Sequence, residues 1–105
     1  MDRFDLIGNV TREPELRYTP NGTAVTTLGL AVNRKYGDKE TTFFVDVDFW
    51  GKQAETICEY VKTGKQLFVS GRHENDSWED KETGAKRSKV KFIANDFQFL
   101  GKKND

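Results

Sequence analysis

At 105 residues the chain has room for one domain with one modest core, and little left over for a deep catalytic cleft. Lys and Arg number 17, as do Asp and Glu, so a partner held by bulk electrostatics alone is disfavoured, although local charge and stacking can still hold one. An aromatic content of 12%, including 8 Phe, argues against disorder, and no apolar run approaches the ~18 residues of a membrane span. The opening Met1-Asp2-Arg3-Phe4 lacks the apolar core of a secretion signal, and Cys58 has no second cysteine to pair with. A soluble, cytoplasmic protein is expected.

Strand signals dominate the chain. Residues 3–10 alternate, with Phe4, Leu6 and Val10 on one face. Pro20-Asn21-Gly22 is a turn: Pro presets φ, and Asn and Gly tolerate positive φ. A second strand spans 23–33, with Leu28, Leu30 and Val32 sharing a face. The polar stretch Tyr36-Gly37-Asp38-Lys39-Glu40 reads as a hairpin loop, and a third strand runs from about Thr42 to Trp50. Lys52–Lys62 is the single predicted helix, with Ala54, Ile57, Cys58 and Val61 spaced i, i+3, i+4, i+7 and Gly64 placed to cap its end. Gln66–Arg72 forms a fourth strand, and a charged turn at Glu82-Thr83-Gly84 leads into a fifth, about Arg87–Phe99. No repeat or linker interrupts this order, so residues 1–105 make one domain. The fold class is all-β: a five-stranded barrel of the oligonucleotide-binding (OB) type, with one helix between strands 3 and 4 and extended β-hairpins.

The third strand is the most informative. Period two puts Phe43, Val45, Val47 and Phe49 on one face and Phe44, Asp46, Asp48 and Trp50 on the other. The first set is uniformly apolar and belongs to the core. The second mixes two large aromatics with two carboxylates, which a dry core would not accept unpaired. Phe44 and Trp50 therefore stand on a solvated surface, within ~20 Å of each other along the strand. Such rings can stack unpaired bases or pack against a neighbouring subunit or loop; the pattern leaves both open. Tyr36, beside Arg34 and Lys35, and Trp78, in Asp76-Ser77-Trp78-Glu79-Asp80, lie in polar stretches that suit stacking combined with phosphate contact, or else cover a barrel end.

Several linked motifs resemble the bacterial single-stranded DNA-binding proteins. Ile7-Gly8-Asn9-Val10, Glu13-Pro14-Glu15-Leu16-Arg17-Tyr18 and Pro20-Asn21-Gly22 are similar to the family's opening. Phe49-Trp50-Gly51-Lys52-Gln53-Ala54-Glu55 resembles its strand-to-helix junction, Glu59-Tyr60-Val61-Lys62-Thr63-Gly64 its helix end, and Val69-Ser70-Gly71-Arg72 its fourth strand. The resemblance spans essentially the whole chain in the right order. It implies an OB barrel, usually a homotetramer, with a dimer as the alternative, that binds single-stranded DNA with little sequence preference beside the nucleoid. It assigns base stacking to Tyr36, Phe44, Trp50 and Trp78, and phosphate contact to Arg3, Arg17, Lys52, Lys62 and Arg72. Val45 and Tyr60 fall at or near subunit contacts in related proteins.

This sequence departs from the family pattern in three places. Glu74, Asn75 and Asp76 precede Trp78 where the family is usually basic, and Asp46 sits between two stacking positions. Both changes put negative charge near the DNA path and should weaken binding. The sequence ends at Gly101-Lys102-Lys103-Asn104-Asp105, without the long linker and acidic tail through which many members recruit replication enzymes, so tail-mediated recruitment is not expected. In the hairpin from Glu74 to Lys91, an acidic arm faces a basic one (Lys86, Arg87, Lys89, Lys91), a pattern that suits an internally neutralised ribbon; the alternative keeps Lys86 and Arg87 free for phosphate.

Catalytic readings find little support. His73 is the sole histidine and has no second ligand nearby, so no metal or other cofactor is expected. Cys58 lies in the helix's apolar stripe as packing, and Asp46 with Asp48 reads as a solvated face rather than a Mg²⁺ site. The expectation is a non-enzymatic binder that protects single-stranded DNA during replication, recombination or repair. The alternative is a tail-less, primosomal-type OB protein acting mainly as a protein-interaction module.

Overall fold

The structure, a computed structural model, describes residues 2–101. Lys102 to Asp105, part of the ending on which the expectation of a missing tail turned, lie outside the described residues. The elements in chain order are β1 (Phe4–Val10), β2 (Arg17–Tyr18), β3 (Ala24–Tyr36), β4 (Lys39–Trp50), α1 (Lys52–Tyr60), β5 (Gln66–Glu79) and β6 (Lys86–Phe99).

Five of the six strands close a ring. β3 runs antiparallel to β4 along its whole length, from Val25↔Trp50 to Tyr36↔Lys39. β1 pairs with β5 over Phe4↔Gly71 to Asn9↔Gln66, and β5 pairs with β6. Two short contacts complete the barrel: β1 with β3 at Asn9↔Ala31 and Val10↔Leu30, and β4 with β6, in parallel, at Val47↔Phe92 and Asp48↔Ile93. The predicted all-β OB barrel is therefore present, with its helix between the third and fourth of the predicted strands. The extra element is β2, two residues held on the edge of β3 at Arg17↔Val25 and Tyr18↔Ala24. A pairing this short carries no alternation for a sequence reading to detect.

The core follows the period-two pattern. Leu28, Leu30, Val47, Phe49, Leu67 and Val69 are fully buried inside the ring, and α1 closes one end with Ala54 and Ile57. Thr26 is the buried polar residue of this core, and its Oγ1 donates to the Glu15 carbonyl at 2.8 Å. That bond satisfies the hydroxyl, as burial requires.

Local details refine the sequence expectations. The hairpin loop shrinks to Gly37-Asp38, and Gly37 takes φ 60, which a mirror-image two-residue turn demands of its first position. The helix ends at Tyr60 rather than Lys62, with Val61 in an extended conformation at its cap. Gly64 does not cap it. Its φ of 91 instead serves a separate turn in which Lys65 N–H donates to the Lys62 carbonyl at 3.1 Å.

β5 and β6 run past the barrel as a ribbon, and β3–β4 does the same beyond about Val32↔Phe43. These arms explain a radius of gyration of 15.6 Å, against ~13 Å for a compact domain of this size. The β5–β6 pair turns out of the barrel at a bulge, where Ser70 faces Asp96 but Gly71 faces Ala94. Asn95, the extra residue, is held from both sides: its carbonyl accepts from Gln53 Nε2 at 2.8 Å and its Oδ1 from Arg72 Nη1 at 2.6 Å.

Candidate nucleic-acid interface

The outer face of β3–β4 is built from cross-strand pairs Thr27/Asp48, Gly29/Asp46 and Ala31/Phe44. β3 supplies only small side chains here, so the β4 residues stand clear of it. Phe44 is 73% exposed and Trp50 43%, while Val47 and Phe49 between them are fully buried. Parity thus separates Phe44 and Trp50 from Val47 and Phe49 as predicted, and Val45 is half-buried against the core. Phe43, also expected in the core, is instead half-buried outside it, because its pair with Val32 lies where the ribbon leaves the barrel. Tyr36 (61%) and Trp78 (47%) are exposed as well, each on one of the projecting arms. Alternation puts Tyr36 on the opposite side of its ribbon from Phe44, among Arg34 and Phe43; the Arg34 guanidinium lies 5.0 Å over the Phe43 ring.

Beside Phe44 lies a cleft of about 400 Å³, walled by Arg17, Asp48, Lys89, Val90 and Phe92 among others. It brings one predicted phosphate residue, Arg17, onto the Phe44 face. Lys89 and Lys91, expected to pair charges within the hairpin, also stand in its wall; the short parallel contact of β4 with β6, invisible to sequence patterning, brings them next to Phe44. Thr27 links the far wall, with its Oγ1 donating to Asp48 Oδ1 at 2.7 Å.

A second cleft, of about 440 Å³, holds Trp78 with Lys86 and Arg87 on the outer arm. The register sets Glu74 opposite Lys91, Asp76 opposite Lys89 and Glu79 opposite Lys86, the neutralised ribbon expected from the sequence. Arg87 reaches Asp80 at 3.5 Å, whereas Lys86 makes no ion pair among the described residues. The carboxylates that depart from the family pattern all have basic partners. Glu74 pairs with Arg72 at 2.9 Å, Asp76 with Lys91 at 3.5 Å and Asp46 with Arg12 at 3.2 Å.

The remaining predicted basic residues are dispersed. Arg72 is engaged by Glu74 and Asn95, and Arg3 by Asp5 at 3.3 Å and Ser70 at 3.4 Å. Lys62 lines a cleft at the barrel end with Asn9 and Lys65, and Arg34 one with Ile7 and Phe68. Lys35 and Lys52 are exposed. Val45 is half-buried against the chain's own core, while Tyr60 is exposed and meets Phe99 edge-on at 6.5 Å.

Residues 1–100 match the model of the single-strand binding protein family. The chain belongs to this family. Among curated members of the single-strand binding protein family, it is 40% identical over 103 residues to the single-stranded DNA-binding protein of Helicobacter hepaticus, covering 93% of this chain and 60% of that protein. It is 39% identical over 106 residues to single-stranded DNA-binding protein 1 of a Synechocystis species, covering 100% and 88%. The fold superposes on a crystal structure of a deletion mutant of the Thermus aquaticus single-stranded DNA-binding protein with a TM-score of 0.87 at 32% identity, covering 99% of this chain and 52% of that one. The chain thus spans little more than half the length of some relatives and most of others.

Proposed function

We propose that this family member binds single-stranded DNA with little sequence preference, without catalysis, by stacking bases on Tyr36, Phe44, Trp50 and Trp78 while Lys and Arg side chains hold phosphates. The observation that carries this is the exposure of Phe44 and Trp50 on the face of β4 opposite the fully buried Val47 and Phe49. Leaving a ring of that size in water forgoes roughly 1.5–3 kcal/mol of burial. Stacking recovers about 1–3 kcal/mol per base and is indifferent to base identity. Pairing each departing carboxylate with a cation supports the same reading, because it lowers the repulsion expected from the sequence.

The role follows from the contact: unpaired DNA is covered and kept from re-annealing during replication, recombination or repair, in the cytoplasm at the nucleoid. Among the described residues no helix is long and apolar enough to cross a membrane. A homotetramer belongs to this proposal as well. Exposed Ile7 on β1 and Tyr60 on α1 offer apolar surface outside the cleft beside Phe44.

The chain has two Trp, Trp50 and Trp78, and both belong to the proposed surface. Titration with poly(dT) followed by Trp fluorescence therefore reads the stacking sites directly. Strong quenching is expected; unchanged emission at low salt would refute stacking, and tight binding of a partner protein in its place would favour the interaction-module alternative.

A further inference from the structure

Between Phe44 and Trp50, β4 supplies two carboxylates on its outer face and no cation. A phosphodiester backbone following that face meets Asp46 and Asp48. Asp48 is tied to Thr27, but Asp46 is matched by a residue from another part of the chain: Arg12, in the loop after β1, lays its guanidinium across β3 and places Nη2 3.2 Å from Asp46 Oδ1.

The path across β3 exists because position 29 is glycine. A Cβ built on Gly29 would fall on Arg12 Nη1 and lie 2.6 Å from Thr11 Oγ1. Gly29 is not among the glycines with positive φ, so its backbone does not require glycine; the guanidinium's path does. The loop is fixed to the same residue, with Thr11 N–H donating to the Gly29 carbonyl at 3.0 Å. Gly29 faces Asp46 across the ladder, so a side chain passing over it arrives at that carboxylate.

Arg12 and Asp46 are each more than half exposed, and the Asp46 contact is the only hydrogen bond or ion pair of the guanidinium among the described residues. Arg12 shares a small cleft with Glu13, Glu15, Arg17 and Thr27, and neither glutamate forms an ion pair with it among the described residues. A guanidinium carries five N–H donors in a planar fork, so one held at a corner by a carboxylate retains donors for a phosphate.

We propose that Arg12 is a phosphate-binding residue of the DNA face, admitted by the opening over Gly29 and positioned by Asp46. The proposal rests on the stacking reading above. It turns Asp46 from a source of repulsion into the anchor of a cation that joins Arg17 and Lys89 on this face.

Three variants test it by poly(dT) titration at several salt concentrations: Arg12→Ala, Asp46→Asn and the double substitution. Arg12 is exposed, so its replacement leaves the barrel intact, and an unchanged quench at saturation verifies this. In the wild-type background Arg12→Ala should lose roughly tenfold in affinity at low salt, because it removes a contact and uncovers Asp46, and the slope of log K against log salt should fall by about 0.7, the value of one phosphate contact on a single strand. In the Asp46→Asn background the same substitution should still cost roughly threefold, with the same fall in slope. If Arg12→Ala has no effect once Asp46 is neutral, Arg12 merely screens that carboxylate and the proposal is overturned. It is equally overturned if Arg12→Ala alone changes neither affinity nor slope, a result that leaves stacking intact. Absence of quenching in the wild type removes the stacking reading, and the proposal with it.

Discussion

The barrel and its two arms obey different rules. Inside the ring each strand has one dry face, and residues such as Leu28, Val47, Phe49 and Leu67 have no contact with water. Beyond it, Asn33–Thr42 and Glu74–Lys91 are largely solvated on both sides and held by the ladder and by charge pairs, including Arg72–Glu74 and Lys91–Asp76. Side-chain packing thus fixes the ring, whereas cross-strand pairing and neutralisation keep the arms in shape. The proposed contact residues divide accordingly: Phe44 and Trp50 stand on the outside of the rigid ring, Tyr36 and Trp78 on the arms.

The sharpest break in this comparison lies within β4. Phe49→Ala empties a fully buried site and should cost about 3–5 kcal/mol of folding stability. Phe44→Ala, five residues earlier on the outer face, should leave stability within about 0.5 kcal/mol. It should weaken DNA by the stacking of one base, about 1–3 kcal/mol. Urea unfolding and poly(dT) titration of both variants measure the two axes. Equal losses of stability would mean that the two faces of β4 are not distinct.

A smaller effect is expected where barrel and arm meet. A Cβ at Gly71 would strike the Ile93 carbonyl oxygen and lie 3.0 Å from the Ala94 Cα, and backbone cannot move aside as a side chain can. Gly71→Ala should therefore cost about 1–3 kcal/mol by overpacking at the bulge. Because the strain falls where the β5–β6 ribbon leaves the ring, Trp78 should change its environment more than Trp50. Fluorescence of single-Trp backgrounds (Trp50→Phe and Trp78→Phe) distinguishes them, and an equal change in both would show that ring and arm move as one.

How much of this was legible in the sequence depended on the rule at work. The alternation in 43–50 was enough to separate Phe44 and Trp50 from Phe49, because one face of β4 is buried. The sequence pattern marks the fourth strand only to Arg72 although β5 continues to Glu79, since residues on a ribbon wetted on both sides have no reason to alternate. Gly64 has the positive φ expected of it, but in a turn rather than at the helix end. The sequence shows Lys89 as half of a charge pair and not as a wall beside Phe44, because the β4–β6 contact is a two-residue parallel closure between distant segments. Arg12 was illegible for a related reason: its destination is set by a missing side chain on β3 and a carboxylate on β4. The nearest signal was an unexplained glycine inside a strand.

The smallest expected effect concerns a staple at that junction. Asp2 accepts the backbone N–H of His73 at 3.1 Å and meets His73 Nδ1 at 3.1 Å, where β5 leaves the ring and the His73 ring packs on Phe4 and Phe92. The bond from the His73 backbone N–H, aided by the imidazole, holds the Asp2 carboxyl below its ordinary value of 3.8. A carboxylate whose pKa is lower in the folded state binds fewer protons there than in the unfolded chain. Its contribution is therefore complete above the unfolded value and is lost as pH falls through the folded one. Asp2→Asn keeps an acceptor oxygen for the backbone N–H but removes the charge. Its urea midpoint should fall slightly below that of the wild type at neutral pH, and the two should converge below about pH 4. A gap that persists undiminished into acid would show that Asp2 acts through the shape of its hydrogen bond, in which case the junction is held, like the ring, by fit rather than by charge.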